Sequence, residues 1–187
     1  MKEKEWINNE VIHRLQREFQ KIDKRLQAQS SVKLPYVYEI REYADEDVQD
    51  YQLSFETDIC IFEINEGKWK PRVVIEGKVK SITTHDAITY SHKAQIHKSV
   101  HPYLRYGILL GKRDHYPLPG RLYRHGAHFD FMLSWQDYNP NKEEWANFLE
   151  IIMQEIEASH TLEEMLYNSR SPKRRHFVTL HRPLILK

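Results

Sequence analysis

The chain has little of what several common classes of protein require. Its single cysteine, Cys60, excludes an intramolecular disulfide framework and a cysteine-based zinc cluster, and it fits a reducing compartment. No apolar run approaches the roughly 18 residues that a membrane-spanning helix needs. The N-terminal residues, MKEKEWINNE, are charged and do not resemble a signal peptide. We therefore expect a cytoplasmic protein with no membrane partner.

Glycine-rich and nucleophile motifs are also missing. With six glycines, the chain contains no phosphate-binding glycine-rich loop, and it has no Gly-X-Ser-X-Gly sequence. Cys60 lies inside an apolar stretch, which favours an inert core thiol. The charge is nearly balanced, with 28 Lys and Arg against 27 Asp and Glu, so it neither requires nor excludes a polyanionic partner.

The length of 187 residues suits one domain with a buried core, and we assign residues 1–187 to it. Apolar residues recur every three or four positions from Ile7 to Leu26, which predicts one helix over residues 5–29. The remaining patterns predict a mixed α/β fold, a central β-sheet flanked by helices. Its other elements are strands at 35–41, 105–110 and 128–135, helices at 84–99, 143–157 and around 162–166, an acidic loop or helical turn at 44–50, an ordered loop at 112–128, and an edge strand or docking arm at 177–186.

Two apolar stretches, residues 57–64 and 72–79, are rich in Ile, Val and Phe, the residues that fit a buried pleated surface. Residues 65–67, Asn-Glu-Gly, supply a turn, so the sequence predicts a β-hairpin. A helical stretch and another apolar strand follow, which indicates a crossover connection and a parallel strand pair.

Among the charged residues of the hairpin, we single out Asp58, Glu76 and Lys78. Charges are costly in buried strands unless they pair or hold a metal. Glu76 and Lys78 are two apart and share a face, which also suits a plain salt bridge between them. Asp58 and Glu76 are each nine positions from Gly67, so we expect cross-strand neighbours with Cβ atoms roughly 5 Å apart. Such a carboxylate pair favours a bound Mg²⁺.

This pattern resembles the PD-(D/E)XK nuclease superfamily, the restriction-endonuclease-like fold. The resemblance rests on Asp58, the hairpin, the sequence Glu76-Gly77-Lys78, and the helix and short apolar strand that follow. It implies an αβββαβ core over about residues 5–112, with residues 113–187 as a family-specific extension. It also implies that Asp58, Glu76 and the Gly77 carbonyl bind Mg²⁺, while Lys78 positions or activates the attacking water.

The chain departs from the family pattern at two positions. Thr57 stands where the family often has proline, which leaves the chemistry intact. Some exonuclease branches add a glutamine and a tyrosine four apart on the next helix; Gln95 is present, but Ser99 stands where the tyrosine would be. A glutamate of the first helix, such as Glu10 or Glu18, could also face the site, although nothing local selects one.

The resemblance leads us to expect a Mg²⁺-dependent endonuclease acting on double-stranded DNA, a type II restriction enzyme in the first instance. Cutting both strands needs two sites, so we expect a homodimer formed through the helix at 143–157 or the tail at 177–186. The alternatives are a repair, recombination or mobile-element nuclease acting on structured DNA, and a non-catalytic nucleic-acid-binding module of the same fold.

Basic residues in three places are candidates for DNA contacts, because lysine and arginine bind phosphates and arginine reads guanine. For each group, a solvated surface is the alternative. The pair His97 and His101 has the spacing of a zinc site but lacks the neighbouring glutamate and a third ligand. The candidate DNA-binding residues are Lys93, His97, His101, Arg113, Arg121, Arg124, Lys173, Arg174 and Arg175.

Overall fold

Apolar strands from the middle of the chain build the core of the protein. Across the residues that the computed structural model describes (1–43, 48–114, 118–168 and 170), five strands form a mixed sheet in the order β1-β4-β5-β6-β7, and β2 pairs with β3 in a separate ribbon. The strands are β1 (Leu26–Gln29), β2 (Lys33–Tyr43), β3 (Val48–Glu56), β4 (Ile59–Asn65), β5 (Lys68–Val79), β6 (Arg105–Gly111) and β7 (Phe131–Ser134). The helices are α1 (Glu3–Trp6), which continues through a π-helical segment (Ile7–Ile12) into α2 (His13–Ile22), then α3 (Thr84–Val100), α4 (Gly120–His125) and α5 (Lys142–Tyr167).

The first helix is shorter at its C-terminal end than the apolar spacing predicts. It ends at Ile22, and Asp23 accepts hydrogen bonds from the backbone and guanidinium of Arg25. The chain then turns into β1, which pairs antiparallel with β4. The helical spacing includes Leu26 because it lies four residues after Ile22. In the structure Leu26 is instead the first residue of β1, and its side chain is buried on the face of that strand that packs on the core.

The predicted hairpin is confirmed as the antiparallel pair β4–β5. Its turn is Glu66-Gly67, with φ values of 51° and 76°, the left-handed conformation that a two-residue hairpin turn requires. A β-bulge at Arg72 then shifts the register by one residue, so that Ile59 pairs with Ile75. Without the bulge, Ile59 would lie opposite Val74, and the residues before β4 would meet different partners on β5.

The crossover after the hairpin is also confirmed. Helix α3 begins at a capping box formed by Thr83 and Asp86, and it leads into β6, which pairs parallel with β5. Strand β7 adds a second parallel pair. The residues read as a loop at 112–128 contain the short helix α4, and strand β7 is shorter than the predicted 128–135.

Helices cover both faces of the main sheet. On one face the first helical segment and α5 pack against Ile61, Ile75 and Leu109, and on the other α3 and α4 pack against Val74 and Ile108. The two predicted helices at 143–157 and 162–166 are one continuous helix, α5. Its apolar side chains Phe148, Ile152 and Ile156 lie in this core, so that face of α5 is covered by the chain's own sheet.

Strand β3 replaces part of the predicted acidic loop. Residues 48–50 begin this strand, which pairs with β2 along its whole length, whereas residues 44–47 lie outside the described part. We call this pair of strands the ribbon. None of the helices in the described ranges combines the length and apolarity that crossing a membrane requires.

Replacing Gly111 with alanine should destabilise the fold by about 1–3 kcal/mol, because its Cβ would lie 2.4 Å from the buried indole ring of Trp6. That ring is rigid and is held by a 2.8 Å hydrogen bond from its Nε1 to the Tyr138 carbonyl. Urea unfolding measures the effect. Gly120→Ala is the control, since its nearest neighbour would be the flexible Arg124 side chain at 3.6 Å; equal stability losses would contradict this packing.

Candidate active site

The three charged residues singled out in the sequence, Asp58, Glu76 and Lys78, lie together at one end of the main sheet. Asp58 directly precedes β4, and Glu76 and Lys78 lie near the end of β5. The register set by the bulge, continued one residue beyond the Ile59–Ile75 pair, places Asp58 beside Glu76. One carboxylate oxygen of Asp58, Oδ2, accepts a 2.9 Å hydrogen bond from the backbone N–H of Gly77. This bond ties the loop before β4 to the centre of the Glu-Gly-Lys sequence.

Glycine is required at position 77 by the packing of the first helix. A Cβ at this position would lie 2.7 Å from the Cδ1 atom and 3.0 Å from the Cγ1 atom of Ile7. The helix therefore covers the strand face that carries Gly77. The neighbouring side chains of Glu76 and Lys78 leave the opposite face, toward α3.

Glu76 is a buried carboxylate that is held from two sides, with its residue 1% exposed. The Tyr106 hydroxyl donates a hydrogen bond to its Oε1 atom, and the Lys93 ammonium lies 2.8 Å from the same atom. Burial raises the pKa of Glu76 to about 7; Lys93 opposes this shift and the charge of Asp58 adds to it. Both contacts are made to the same carboxylate oxygen, Oε1.

Lys78 lies in a partly buried cage of acidic and aromatic groups. Its ammonium is 3.4 Å from Oε1 of Glu3 and 5.1 Å from the centre of the Tyr90 ring. Burial by itself lowers the pKa of Lys78, but a hydrogen bond with Tyr90 and the charges of Glu3 and Asp86 outweigh it and raise the pKa above its ordinary value. Lys78 is therefore held as a cation that can donate hydrogen bonds.

The contacts of Glu76 and Lys78 argue against a simple ion pair between them. Within the described ranges, the lysine that bridges Glu76 is Lys93 and the glutamate that bridges Lys78 is Glu3. Each member of the Glu-Gly-Lys sequence thus has its own partner from a different helix. Tyr90 lies near both, since the charges of Lys78, Glu76 and Asp58 all act on the pKa of its hydroxyl.

Four residues that contact Glu76 or Lys78 are not predicted from the sequence to do so. Glu3 lies four residues before Ile7 and so shares the buried face of the helix. This spacing could have identified Glu3 as a site residue, but the predicted helix starts at residue 5. Glu18, one of the two glutamates considered, instead pairs with Lys21. The other three are Lys93 and Tyr90 on α3 and Tyr106 on β6; their contacts depend on the parallel register and on helix packing, which the sequence does not specify.

The donor set fits a magnesium ion better than a metal held by protein alone. Within the described residues no group of three or more His, Cys, Asp or Glu side chains could hold a metal ion. Asp58 and Glu76 each use one oxygen for a positioning contact, and the Gly77 carbonyl directly follows Glu76 in the chain. Mg²⁺ is commonly bound by one or two carboxylates and completes its octahedron with water and substrate phosphate.

The other predicted DNA-contacting residues lie in different settings. His97 is completely buried between the rings of Phe55 and Tyr106, and burial lowers its pKa to about 4; we therefore leave it out of the proposed DNA surface. His101 ends α3 and is partly buried. Neither forms part of a three-ligand metal group in the described chain.

The arginines after β6 lie close to the end of β5. The guanidinium of Arg113 donates to the Lys80 carbonyl at 3.0 Å, and that of Arg121 donates to the Ile82 carbonyl at 2.8 Å. Arg124 is exposed on α4. The remaining candidates, Lys173, Arg174 and Arg175, lie outside the described residues.

The interpretation of this site rests on its geometry and chemistry. No model of a known protein family matches the chain, and no curated protein matches it either.

Proposed function

We propose that the protein is a Mg²⁺-dependent DNA endonuclease of the restriction-endonuclease-like class. The observation that carries the proposal is the arrangement of Asp58 and Glu76: the strand register places the two carboxylates side by side, each is held through one oxygen, and Lys78 follows Glu76 by two residues on the same strand. A positioned carboxylate pair with an adjacent amine is suited to phosphodiester hydrolysis, where negative charge grows on phosphorus.

The order of the elements supports an αβββαβ core. The first helix, the strands β1, β4 and β5, the crossover helix α3 and the strand β6 follow one another in this order. In the sheet the strands are neighbours in the order β1-β4-β5-β6. The first core strand is thus β1 rather than the strand predicted at 35–41, and the ribbon is an insertion between β1 and β4.

Each residue has a defined role in the proposed reaction. Asp58, Glu76 and the Gly77 carbonyl hold the metal, which when bound lowers the pKa of a coordinated water and offsets phosphate charge. Lys78 donates hydrogen bonds to the attacking water and to the phosphate, since it is held as a cation beside the carboxylates. Lys93 and Tyr106 act through Glu76, whose Oε1 they fix, and so direct its second oxygen.

Basic residues near the site suit binding of duplex DNA. Arg113 and Arg121 anchor the segment after β6 to residues 80–82, which directly follow Lys78 and the end of β5. With the exposed Arg124, they place positive charge next to the proposed reaction centre. Cleavage of both strands needs two such sites, so we propose a homodimer, formed through a surface other than the buried face of α5.

One observation favours a second candidate, a non-catalytic nucleic-acid-binding module. The carboxylate of Glu76 is already satisfied by Lys93 and Tyr106, so it does not require a metal to be stable in the core. In such a module, Mg²⁺ would not raise the melting temperature.

Incubation of purified protein with phage DNA tests the proposal. We expect double-strand cleavage with Mg²⁺ and none with EDTA, and Lys78→Met should slow cleavage by about a hundredfold through lost charge stabilisation. Lys24→Met, a change of an exposed lysine, should leave the rate unchanged. Fragments of discrete length would support restriction-type cleavage of a short sequence, whereas cleavage confined to branched DNA would favour a repair or recombination nuclease. Absence of cleavage on both substrates would reject the proposal.

A further inference from the structure

One face of the ribbon contacts the rest of the protein at its base, and the other face is exposed. Directly paired residues of antiparallel strands share a face, and alternate residues along each strand return to it. Tyr38 pairs with Gln52, Ile40 with Asp50 and Tyr43 with Val48. We call this side the outer face of the ribbon. It carries Tyr38, Ile40, Tyr43, Val48, Asp50 and Gln52.

The opposite face contacts the rest of the protein at its base and is polar toward its tip. Near the base, Leu34 is buried, and Phe55 stacks on Tyr36 and contacts the ring of His97 on α3. Further out, the guanidinium of Arg41 lies 4.0 Å from the ring of Tyr51. This face is thus covered by the rest of the protein at its base.

The outer face exposes large apolar side chains. Tyr38, Ile40 and Tyr43 are 48, 54 and 75% exposed. An isolated two-stranded hairpin is marginally stable in water, so an 11-residue strand such as β2 gains from cover over its apolar face. These side chains therefore mark a surface for an apolar segment.

The charge around this face specifies the kind of segment. The described ribbon residues 39–43 and 48–50 include three acidic residues, Glu39, Glu42 and Asp50, and one arginine. The sequence that connects them adds three more acidic residues, so this part of the chain would repel nucleic acid. Residues 171–187 have the opposite character, with five Lys and Arg, no acidic residue, and six side chains from Val, Leu, Ile and Phe. The tail is thus complementary to the ribbon in both charge and apolarity.

Helix α5 ends near the same end of α3 that contacts the base of the ribbon. Helix α5 ends at Tyr167, whose ring lies 6.3 Å from that of Tyr103, just beyond the C-terminal end of α3. The base of the ribbon packs on α3 through Phe55 and His97. An extended segment of 17 residues spans up to roughly 55 Å, which exceeds the roughly 36 Å length of an 11-residue strand.

We propose that residues 171–187 of the same molecule cover the outer face of the ribbon. Their apolar side chains pack on Tyr38 and Ile40, and their basic side chains lie along the acidic rim. The inference is independent of the proposed nuclease activity. It assigns Lys173, Arg174 and Arg175 to the ribbon rather than to DNA.

Hydrogen exchange of the full chain, followed by mass spectrometry without DNA, tests this surface. Amides of residues 177–186 should exchange at least tenfold more slowly in the wild type than in Ile40→Ser, which removes an outer-face contact. Tyr38→Ser should have the same effect. Gln49→Ser, on the opposite face of the same ribbon, is the matched control and should leave the tail protected. Exchange in peptides covering β2 and β3 shows whether each variant keeps the ribbon itself folded.

Four results would overturn the proposal. The first is exchange of the tail at the unprotected rate in the wild type. The second is protection that survives both Ile40→Ser and Tyr38→Ser. Protection that grows with protein concentration would instead assign the face to a second copy of the chain. Protection that requires added duplex DNA would assign the tail to nucleic acid.

Discussion

Asp58→Asn should reduce Mg²⁺-dependent DNA cleavage by at least about a thousandfold while leaving the protein folded. The asparagine side chain can still accept the hydrogen bond from the Gly77 N–H, so the loop before β4 keeps its anchor. What is lost is the negative charge of a proposed metal ligand, and with it the proposed charge stabilisation at the phosphate. Single-turnover cleavage of a labelled duplex measures the loss.

Asp50→Asn is the matched control for this substitution. It removes the same charge from an exposed position on the ribbon and should leave the cleavage rate within about twofold of the wild type. A similar rate loss in both variants would mean that general charge, rather than Asp58 itself, matters. Undiminished cleavage by Asp58→Asn would remove Asp58 from the mechanism.

Glu76→Gln should cause a comparable loss of cleavage with a different effect on stability. Its Oε1 can still accept from Tyr106 and Lys93, while the cost of burying a carboxylate is removed. We therefore expect a melting temperature equal to or above that of the wild type. A functional residue that costs stability would explain why a buried carboxylate occupies this position.

Arg72→Met should destabilise the protein by about 3 kcal/mol, which corresponds to a fall of roughly 10 °C in melting temperature for a domain of this size. The buried Arg72 guanidinium lies 2.9 Å from Glu63 and 2.6 Å from Glu163, and so joins the hairpin to α5. Its removal leaves two largely buried carboxylates with fewer partners. Arg25 and His160 also contact Glu63, which places the loss at the lower end of the range for a broken buried ion pair.

Thermal unfolding of three variants tests this network. Arg17→Met changes an exposed arginine of α2 and should alter the free energy of unfolding by less than about 0.5 kcal/mol. The triple variant Glu63→Gln/Arg72→Met/Glu163→Gln should recover at least half of the lost stability, because the buried charges of the network are all removed and the lysine and arginine that lose a partner, Lys70 and Arg25, are exposed. Equal stability of Arg72→Met and Arg17→Met would show that the network does not hold α5 on the sheet.

The centre of the fold could be predicted because its sequence signals are local. Asn-Glu-Gly marks the turn between the two apolar strands. The charges within these strands include Asp58, Glu76 and Lys78, but also Glu63 and Arg72, which pair with each other, so the resemblance to the nuclease pattern is what selects the first three. Counting nine positions to each side of Gly67 predicts the register in which Ile59 pairs with Ile75. The structure has this register, but for a different reason. A two-residue turn alone gives a register one residue away, and the bulge at Arg72 supplies the missing shift.

The features that the sequence did not predict depend on contacts between distant elements. Lys93 reads as one of several basic residues on a helix, and only the packing of α3 brings it to Glu76. Tyr106 reads as part of an apolar strand, and the parallel register with β5 places it beside Val74, near Glu76. Strand β1 was missed because Leu26 continues the helical spacing by coincidence.

The central claim is that Asp58 and Glu76 bind one divalent ion together. Calorimetric titration of the purified protein with Mn²⁺, which takes the same oxygen ligands as Mg²⁺, tests it most directly. We predict one site in the wild type and at least tenfold weaker binding in both Asp58→Asn and Glu76→Gln. Wild-type affinity in either variant would contradict the claim.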